Sequence, residues 1–210
     1  QTFMYEPAFD EWLDSLDIWV LTPDSFSVEV SNRIHSAGHE VWTYANGDNF
    51  PGTDFDLRTP LIMSRLRGWI GYRYNITGFL HWVFYWNYND AGRSGCGYDG
   101  RGDGTEIVPH ASGYLPTLRL AALRDGLEDN DLLWMLNKTV ALAQALAISD
   151  PVVTQAIAAL SDVDVALGRQ QADLTWPLPV VTRAFNHAAQ AYMTLRTRCG
   201  SLLDRLHALL

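Results

Sequence analysis

Hydrophobic and polar positions follow two different periods over residues 1–90. Short runs rich in β-branched and aromatic side chains predict four β-strands, at residues 2–6, 16–22, 39–47 and 77–86. The strand at 39–47 reads HEVWTYANG, and the one at 77–86 reads TGFLHWVFYW. Each run has the length of an ordinary strand, so the pattern predicts four strands in this part of the chain.

Helical spacing of apolar residues separates these strands. It predicts a helix over 25–37, with Gly38 where a C-terminal cap belongs, and a second helix over 57–74. Residues 8–14 have room for only a turn or two of helix. The predicted buried face of the second helix consists of Leu61, Met63, Leu66, Ile70 and Tyr74.

Strands that alternate with helices indicate parallel β/α units and therefore an α/β fold. Four such strands form either half of a (β/α)8 barrel or part of an open, doubly wound sheet. The dinucleotide-binding turn Gly-x-Gly-x-x-Gly is absent at the predicted strand ends. The pattern therefore favours the barrel.

The chain changes character after residue 90. Residues 91–116 are rich in glycine and show no periodicity, which predicts a long loop. Everything beyond is predicted to be helical, over 117–147, 152–167 and 179–210, with a break at Gly200.

Composition and charge narrow the class of protein. The 210 residues are 48% hydrophobic, which is enough to form a globular core, and the formal net charge is −9 without a Lys/Arg cluster. Nucleic acid is excluded as a partner because phosphate binding needs a concentrated positive surface. No apolar run approaches the roughly 20 residues that cross a bilayer. The chain begins at Gln1 with no signal-peptide pattern, so we expect a fragment or processed product and leave its localisation open.

Candidate chemistry lies where the predicted strands end, because ligands of parallel β/α folds bind at the carboxyl ends of strands. Alternation puts the side chains of Trp42, Tyr44 and Asn46 on one face, which we expect to be the inward one. Trp82 and Trp86 occupy the last predicted strand, and Asp90 follows it. Flat rings beside amide and carboxylate groups are typical of a sugar site. Core packing is the alternative for each aromatic residue taken alone.

Other reactive side chains are given structural roles. Asp10 and Glu11 form an adjacent acidic pair, but they lie in the predicted short helix and are expected on its solvated face. His81 is predicted to be a packed histidine rather than a metal ligand. Cys96 and Cys199 are predicted to be unrelated thiols. Nothing in the sequence requires a metal ion or an organic cofactor.

Five segments occur together in a recognisable order. They are DIWV, AGHEVWTYANG, RLRGWIGYRYNITGFLHWVFYW, GDG followed by a proline, and PTLRLAALRDGLEDNDLLWML. In order and approximate spacing they resemble the catalytic domain of glycoside hydrolase family 123 over about residues 16–136. The strand beginning Gly-Phe-Leu-x-Trp and the segment LRDGLEDNDLL are the most specific parts.

The resemblance implies a (β/α)8 barrel that cleaves β-N-acetylgalactosaminides by a retaining, substrate-assisted mechanism. It places the family's catalytic Asp-Glu pair at the end of the fourth barrel strand, upstream of the matched segment. Residues 1–147 would then hold strands five to eight of the barrel and its last helix, and residues 148–210 a helical extension. The full-length chain would supply the missing half of the barrel and the acid/base.

On this interpretation the chain carries no catalytic residue of its own. Its six site residues bind substrate, with Tyr44 the candidate hydrogen-bond partner of the acetamido group and Trp82 or Trp86 the platform for the sugar ring. The rival interpretation is a non-catalytic carbohydrate-binding or structural module that uses the same aromatic residues.

Overall fold

The computed structural model describes residues 9–21, 26–46, 60–82, 84, 106–168 and 186–210. It is a mixed α/β structure with a three-stranded sheet, a β-hairpin and several helices. In chain order the elements are α1 (Phe9–Trp12), β1 (Ile18–Leu21), α2 (Val28–Ser36), β2 (Glu40–Asn46), α3 (Ile62–Tyr74), β3 (Gly78–Trp82), β4 (Ile107–His110), β5 (Gly113–Pro116), α4 (Leu118–Ala145), α5 (Pro151–Ala166) and α6 (Ala189–His207).

The sheet confirms the parallel β/α pattern in the part of the chain that is described. Its strands run parallel in the order β1-β2-β3, and the register pairs Val20 with Trp42 and Trp42 with Gly78. These strands form an open sheet in the described residues and do not close into a barrel. The strand predicted at 2–6 lies outside the described residues, so a half-barrel stays a prediction.

The two faces of the sheet differ in what covers them. Trp19, Leu21 and Val41 belong to one face and are buried in the same hydrophobic cluster as the helices. Trp42 and Tyr44 belong to the other face and are only half-buried. The predicted separation into a helix-packing set and an aromatic set is therefore seen in β2.

The two predicted helices of the first half are present, but α3 begins at Ile62 rather than at residue 57 as predicted. In α2 the Ser27 hydroxyl accepts the Val30 N–H at 3.0 Å, and Gly38 follows the helix with a φ of 89°. In α3 the predicted inward position of Leu61 is wrong, because this residue precedes the first turn and is 42% exposed. Trp69, which was not among the predicted inward residues, is fully buried and lies one turn after the buried Leu66.

A β-hairpin of strands β4 and β5 occupies the end of the segment predicted to be a loop. The sequence signal is weak because each strand has four residues, β4 contains Pro109, and every residue of β5 is exposed. The hairpin is closed at its base by Thr117, whose N–H and hydroxyl both donate to the Glu106 carbonyl at 2.9 Å. Backbone hydrogen bonds, rather than a hydrophobic face, define these strands.

The predicted helices of the second half are present, with two corrections in the last one: it begins ten residues after the predicted start at 179, and Gly200 does not break it. The Asp150 carboxylate accepts the Val152 N–H at 2.8 Å and begins α5. Helix α6 begins at Ala189 and passes through Gly200 without a break. A buried stripe on both sides of Gly200, which includes Tyr192 and Leu206, offsets the roughly 1 kcal/mol cost of a glycine in a helix.

Helices α3 and α4 approach so closely that their backbones touch. A Cβ atom on Gly68 would overlap the Gly126 carbonyl, and one on Gly126 would overlap the carbonyl of Arg65. The same approach lets the Asn130 side chain donate to the Gly68 carbonyl at 2.9 Å. The two glycines thus set the distance between these helices.

One hydrophobic cluster extends from the sheet to the last helix. It contains Val41 of the sheet, Leu66 of α3, Leu136 of α4 and Leu202 of α6. No helix among the described residues is both long and apolar enough to cross a membrane.

Candidate functional site

The six predicted substrate-binding residues divide into three groups. Trp42 and Tyr44 are half-buried on the sheet face that points away from the helices. Asn46 and Trp82 are the last residues of β2 and β3 and pair with each other in the register, which places both on that same face. Their side chains, and the whole of Trp86 and Asp90, lie outside the described residues.

Trp42 is held by contacts that the sequence did not indicate. Its indole lies across Gly78 of the next strand, where a Cβ atom would come within 2.5 Å of the ring. Its Nε1 donates to the Glu40 carboxylate at 3.1 Å, and the same oxygen accepts from the Thr77 hydroxyl at 2.7 Å. Donation by Thr77, and then by Trp42, lowers the pKa of Glu40. Only the strand register shows that Gly78 lies opposite Trp42 and leaves room for its ring.

Tyr44 lies two residues further along β2 and pairs with Leu80. One face of β2 therefore carries Trp42, Tyr44 and Asn46, in this order towards the carboxyl end of the strand. Trp82 of β3 is paired with Asn46. The backbone brings four of the six predicted residues to one face of two neighbouring strands.

Asp10 and Glu11 lie in α1, which precedes the amino end of β1. Both are exposed, as predicted, and Asp10 forms an ion pair with Arg33 of α2. These carboxylates are at the wrong end of β1 for a site at the carboxyl ends of the strands.

A second polar group, which the sequence did not predict as a unit, lies on the helix-facing side of β3. The side chains of His81 and Glu106 have no exposed surface, and His81 Nε2 is 3.4 Å from Glu106 Oε1. The packed position predicted for His81 is confirmed. Burial raises the pKa of Glu106 to about 8, although a hydrogen bond from its own backbone N–H and then the charges of Arg67 and Arg119 act in the opposite direction.

Metal-binding groups and reactive thiols are not evident in the described parts of the chain. No cluster of three or more His, Cys, Asp or Glu side chains occurs among these residues. Cys199 is a free thiol buried in α6, and burial raises its pKa to about 11.

The chain matches a known family model. The model of the glycoside hydrolase 123 catalytic domain matches residues 7–136, which are more than half of the chain. The chain belongs to glycoside hydrolase family 123. A search of curated proteins finds no match. A glycoside hydrolase domain has a carbohydrate as its substrate.

The most specific segment of this family 123 chain, LRDGLEDNDLL, makes packing contacts. Asp129 is fully buried in α4 and accepts hydrogen bonds from Arg65 at 2.6 and 3.0 Å, from Trp69 at 2.8 Å and from Arg196 at 2.6 Å. Together with Gly126 it joins α4 to α3 and α6. The structure therefore gives these two motif residues a structural role.

Proposed function

We propose that this chain provides strands five to eight of the (β/α)8 catalytic domain of a retaining, substrate-assisted β-N-acetylhexosaminidase with β-N-acetylgalactosaminide substrates. Residues 1–147 form that part, and residues 148–210 form a helical extension. The observation that carries the proposal is the family match together with a parallel sheet whose aromatic face points away from the helices.

In the proposed mechanism the substrate's 2-acetamido oxygen attacks the anomeric carbon while the bond to the leaving oxygen breaks. A general acid protonates the leaving oxygen, and water later opens the cyclic intermediate with the acid now acting as base. The proposal assigns this acid/base, and the neighbouring carboxylate that orients the amide, to a strand upstream of these residues. None of the reacting groups is then supplied by this chain.

The proposed contribution of this chain is to hold and orient the sugar. Tyr44 donates a hydrogen bond to the acetamido group, and Trp82 or Trp86 stacks on the apolar face of the ring. The amide of Asn46 and the carboxylate of Asp90 take sugar hydroxyls. Trp42 supports this proposal, because a ring fixed by a neighbouring strand and a carboxylate loses little conformational entropy when ligand binds.

The test is hydrolysis of 4-nitrophenyl 2-acetamido-2-deoxy-β-D-galactopyranoside by the gene product that contains these residues with their upstream sequence. We expect Tyr44→Phe and Trp86→Ala to lower kcat/KM about tenfold each, because each removes a contact to the positioned substrate. Trp134→Phe is the matched control, since Trp134 packs on Tyr72 among the helices, away from the proposed site. Unchanged kcat/KM in both site variants would contradict the assignment.

The 210 residues by themselves are expected to give no turnover. Turnover by this chain alone would place the acid/base within it and overturn the proposed division of the barrel. Sugar binding by the longer gene product without any turnover would instead favour a non-catalytic carbohydrate-binding module.

A further inference from the structure

The buried pair of Glu106 and His81 joins the base of the hairpin to β3. Both side chains are fully buried, and their nearest nitrogen and oxygen atoms are 3.4 Å apart. His81 is the penultimate residue of β3, immediately before Trp82. The contact therefore acts on the end of the strand that the proposed sugar site uses.

The backbone on both sides of the pair is anchored. The Glu106 carbonyl accepts both hydrogen bonds from Thr117, and the N–H of Ile107 donates to the Phe84 carbonyl at 3.3 Å. The Phe84 ring meets the His81 ring edge-on, with centroids 5.6 Å apart. These bonds fix the Glu106 backbone at the base of the hairpin, next to β3.

Charged groups surround Glu106 on several elements. His81 faces it from β3, and the guanidinium groups of Arg67 of α3 and Arg119 of α4 act on it electrostatically. Arg67 also lies over the ring of Phe79, 5.3 Å from its centroid. Among the described residues no side-chain donor forms a hydrogen bond to either Glu106 carboxylate oxygen, and only the N–H of Glu106 itself acts on this carboxylate as a donor. A buried carboxylate with so few hydrogen bonds favours its neutral form.

We propose that Glu106 is a positioning residue, which fixes the carboxyl end of β3 through its contact with His81. Adjacent strand residues point to opposite faces, so a movement of His81 on the helix side also displaces Trp82 on the aromatic side. Only the consequence for sugar binding rests on the proposed function.

The contact depends on a proton. At neutral pH Glu106 carries its proton and can donate it in a hydrogen bond to His81 Nε2. Above about pH 8 the carboxylate is charged, and the buried site must rearrange to hydrate or pair it. The end of β3 is therefore expected to respond to pH in this range.

The first measurement does not involve sugar. In 1H–15N spectra of the full chain, the Trp82 indole N–H signal, assigned with Trp82→Phe, should shift with a midpoint near pH 8. The shift should disappear in Glu106→Gln, which retains a donor for His81 but cannot ionise. It should persist in Glu128→Gln, an exposed carboxylate of α4, while the Trp134 signal stays constant. A Trp82 signal that does not titrate, or that titrates equally in Glu106→Gln, overturns the proposal.

The second measurement is the affinity for methyl 2-acetamido-2-deoxy-β-D-galactopyranoside between pH 6 and 9.5. The affinity of the unsubstituted protein for the sugar should fall about tenfold above pH 8. The affinity of Glu106→Gln should not change with pH, and that of Glu106→Leu should be low at every pH. If Glu106→Leu fails to fold, the comparison with Glu106→Gln still decides. If the parent binds no sugar at any pH, the proposed function fails, whereas the positioning role is decided separately by the Trp82 signal.

Discussion

Two buried carboxylates of this chain have opposite surroundings. Asp129 accepts four hydrogen bonds from three side chains and holds three helices together. Glu106 accepts none at its carboxylate from the side chains of the described residues, and burial raises its pKa to about 8. The first carboxylate is paired with two guanidinium groups, whereas the second is tolerated in its buried position because its raised pKa favours the neutral form at pH 7.

Removal of the Asp129 carboxylate is expected to be strongly destabilising. Asp129→Ala leaves the guanidinium groups of Arg65 and Arg196 without their shared partner, so the free energy of unfolding should fall by about 3–5 kcal/mol. Urea unfolding measures this change. Asp125→Ala is the control, because its ion pair with Arg124 is exposed and should contribute less than about 1 kcal/mol. Equal losses in the two variants would refute the central role of Asp129.

Glu106 should make stability fall as pH rises. Its pKa is 4.5 in the unfolded chain and about 8 in the folded one, so between these values only the folded state keeps the proton. Rising pH then favours unfolding until about pH 8, where the effect levels off. At pH 5, 7 and 9 the free energy of unfolding should be measured for Glu106→Gln and for the unsubstituted chain. Relative to the unsubstituted chain, the variant should become more stable as the pH increases. A constant difference across this range would contradict the raised pKa.

At the scale of elements, the contact between α3 and α4 depends on the absence of side chains. Glycine in a helix interior is normally unfavourable, yet Gly68 and Gly126 occupy the positions where the two backbones touch. The segment LRDGLEDNDLL contains Gly126, Asp129 and Asn130, and all three contact α3. Packing against α3 thus explains why the chain has these residues at these positions.

Substitution of two helical glycines should have opposite effects. Gly126→Ala should destabilise by about 1–3 kcal/mol or more, because its methyl group would overlap the Arg65 carbonyl. Gly200→Ala should stabilise by about 0.5–1 kcal/mol, since nothing lies within 4 Å of the added atom. Urea midpoints of the two variants provide the comparison. A stabilising Gly126→Ala would show that the helices can separate without penalty.

Most elements could be predicted because local signals agreed with tertiary packing. Helices α2 and α5 have caps that are visible in the sequence, and β2 has a clear alternation. The β4–β5 hairpin was missed because both strands are short, β4 is interrupted by proline, and every residue of β5 is exposed. The break predicted at Gly200 was wrong because buried neighbours on both sides stabilise a continuous helix.

At the scale of the whole molecule, the helical extension shares the core of the matched region. Trp69 of α3 packs edge-on against Tyr192 of α6, with ring centroids 5.2 Å apart. Leu136 and Val140 belong to the same buried cluster as the residues of α5 and α6. Residues 148–210 are therefore expected to unfold together with residues 1–147.

Deletion of residues 148–210 should abolish cooperative unfolding. The truncated chain would expose Leu136, Val140 and Ala143, and Asp129 would lose its contact with Arg196. Near-UV circular dichroism during urea titration measures this loss. Deletion of only 209–210 should preserve the transition, because both leucines are partly exposed at the chain end. A sharp transition in the long deletion would show that the matched region folds alone.

Periodicity and motif order along the chain were enough to predict strands β1 to β3 with the helices around them, the aromatic face of β2 and the family. The sequence also pointed to Trp42, Tyr44, Asn46 and Trp82, which the register brings to one face of neighbouring strands. The roles of Gly78, Gly126, Asp129 and Glu106 were decided only by the tertiary structure. Each depends on what a residue distant in the chain places beside it, and neither composition nor spacing encodes that contact.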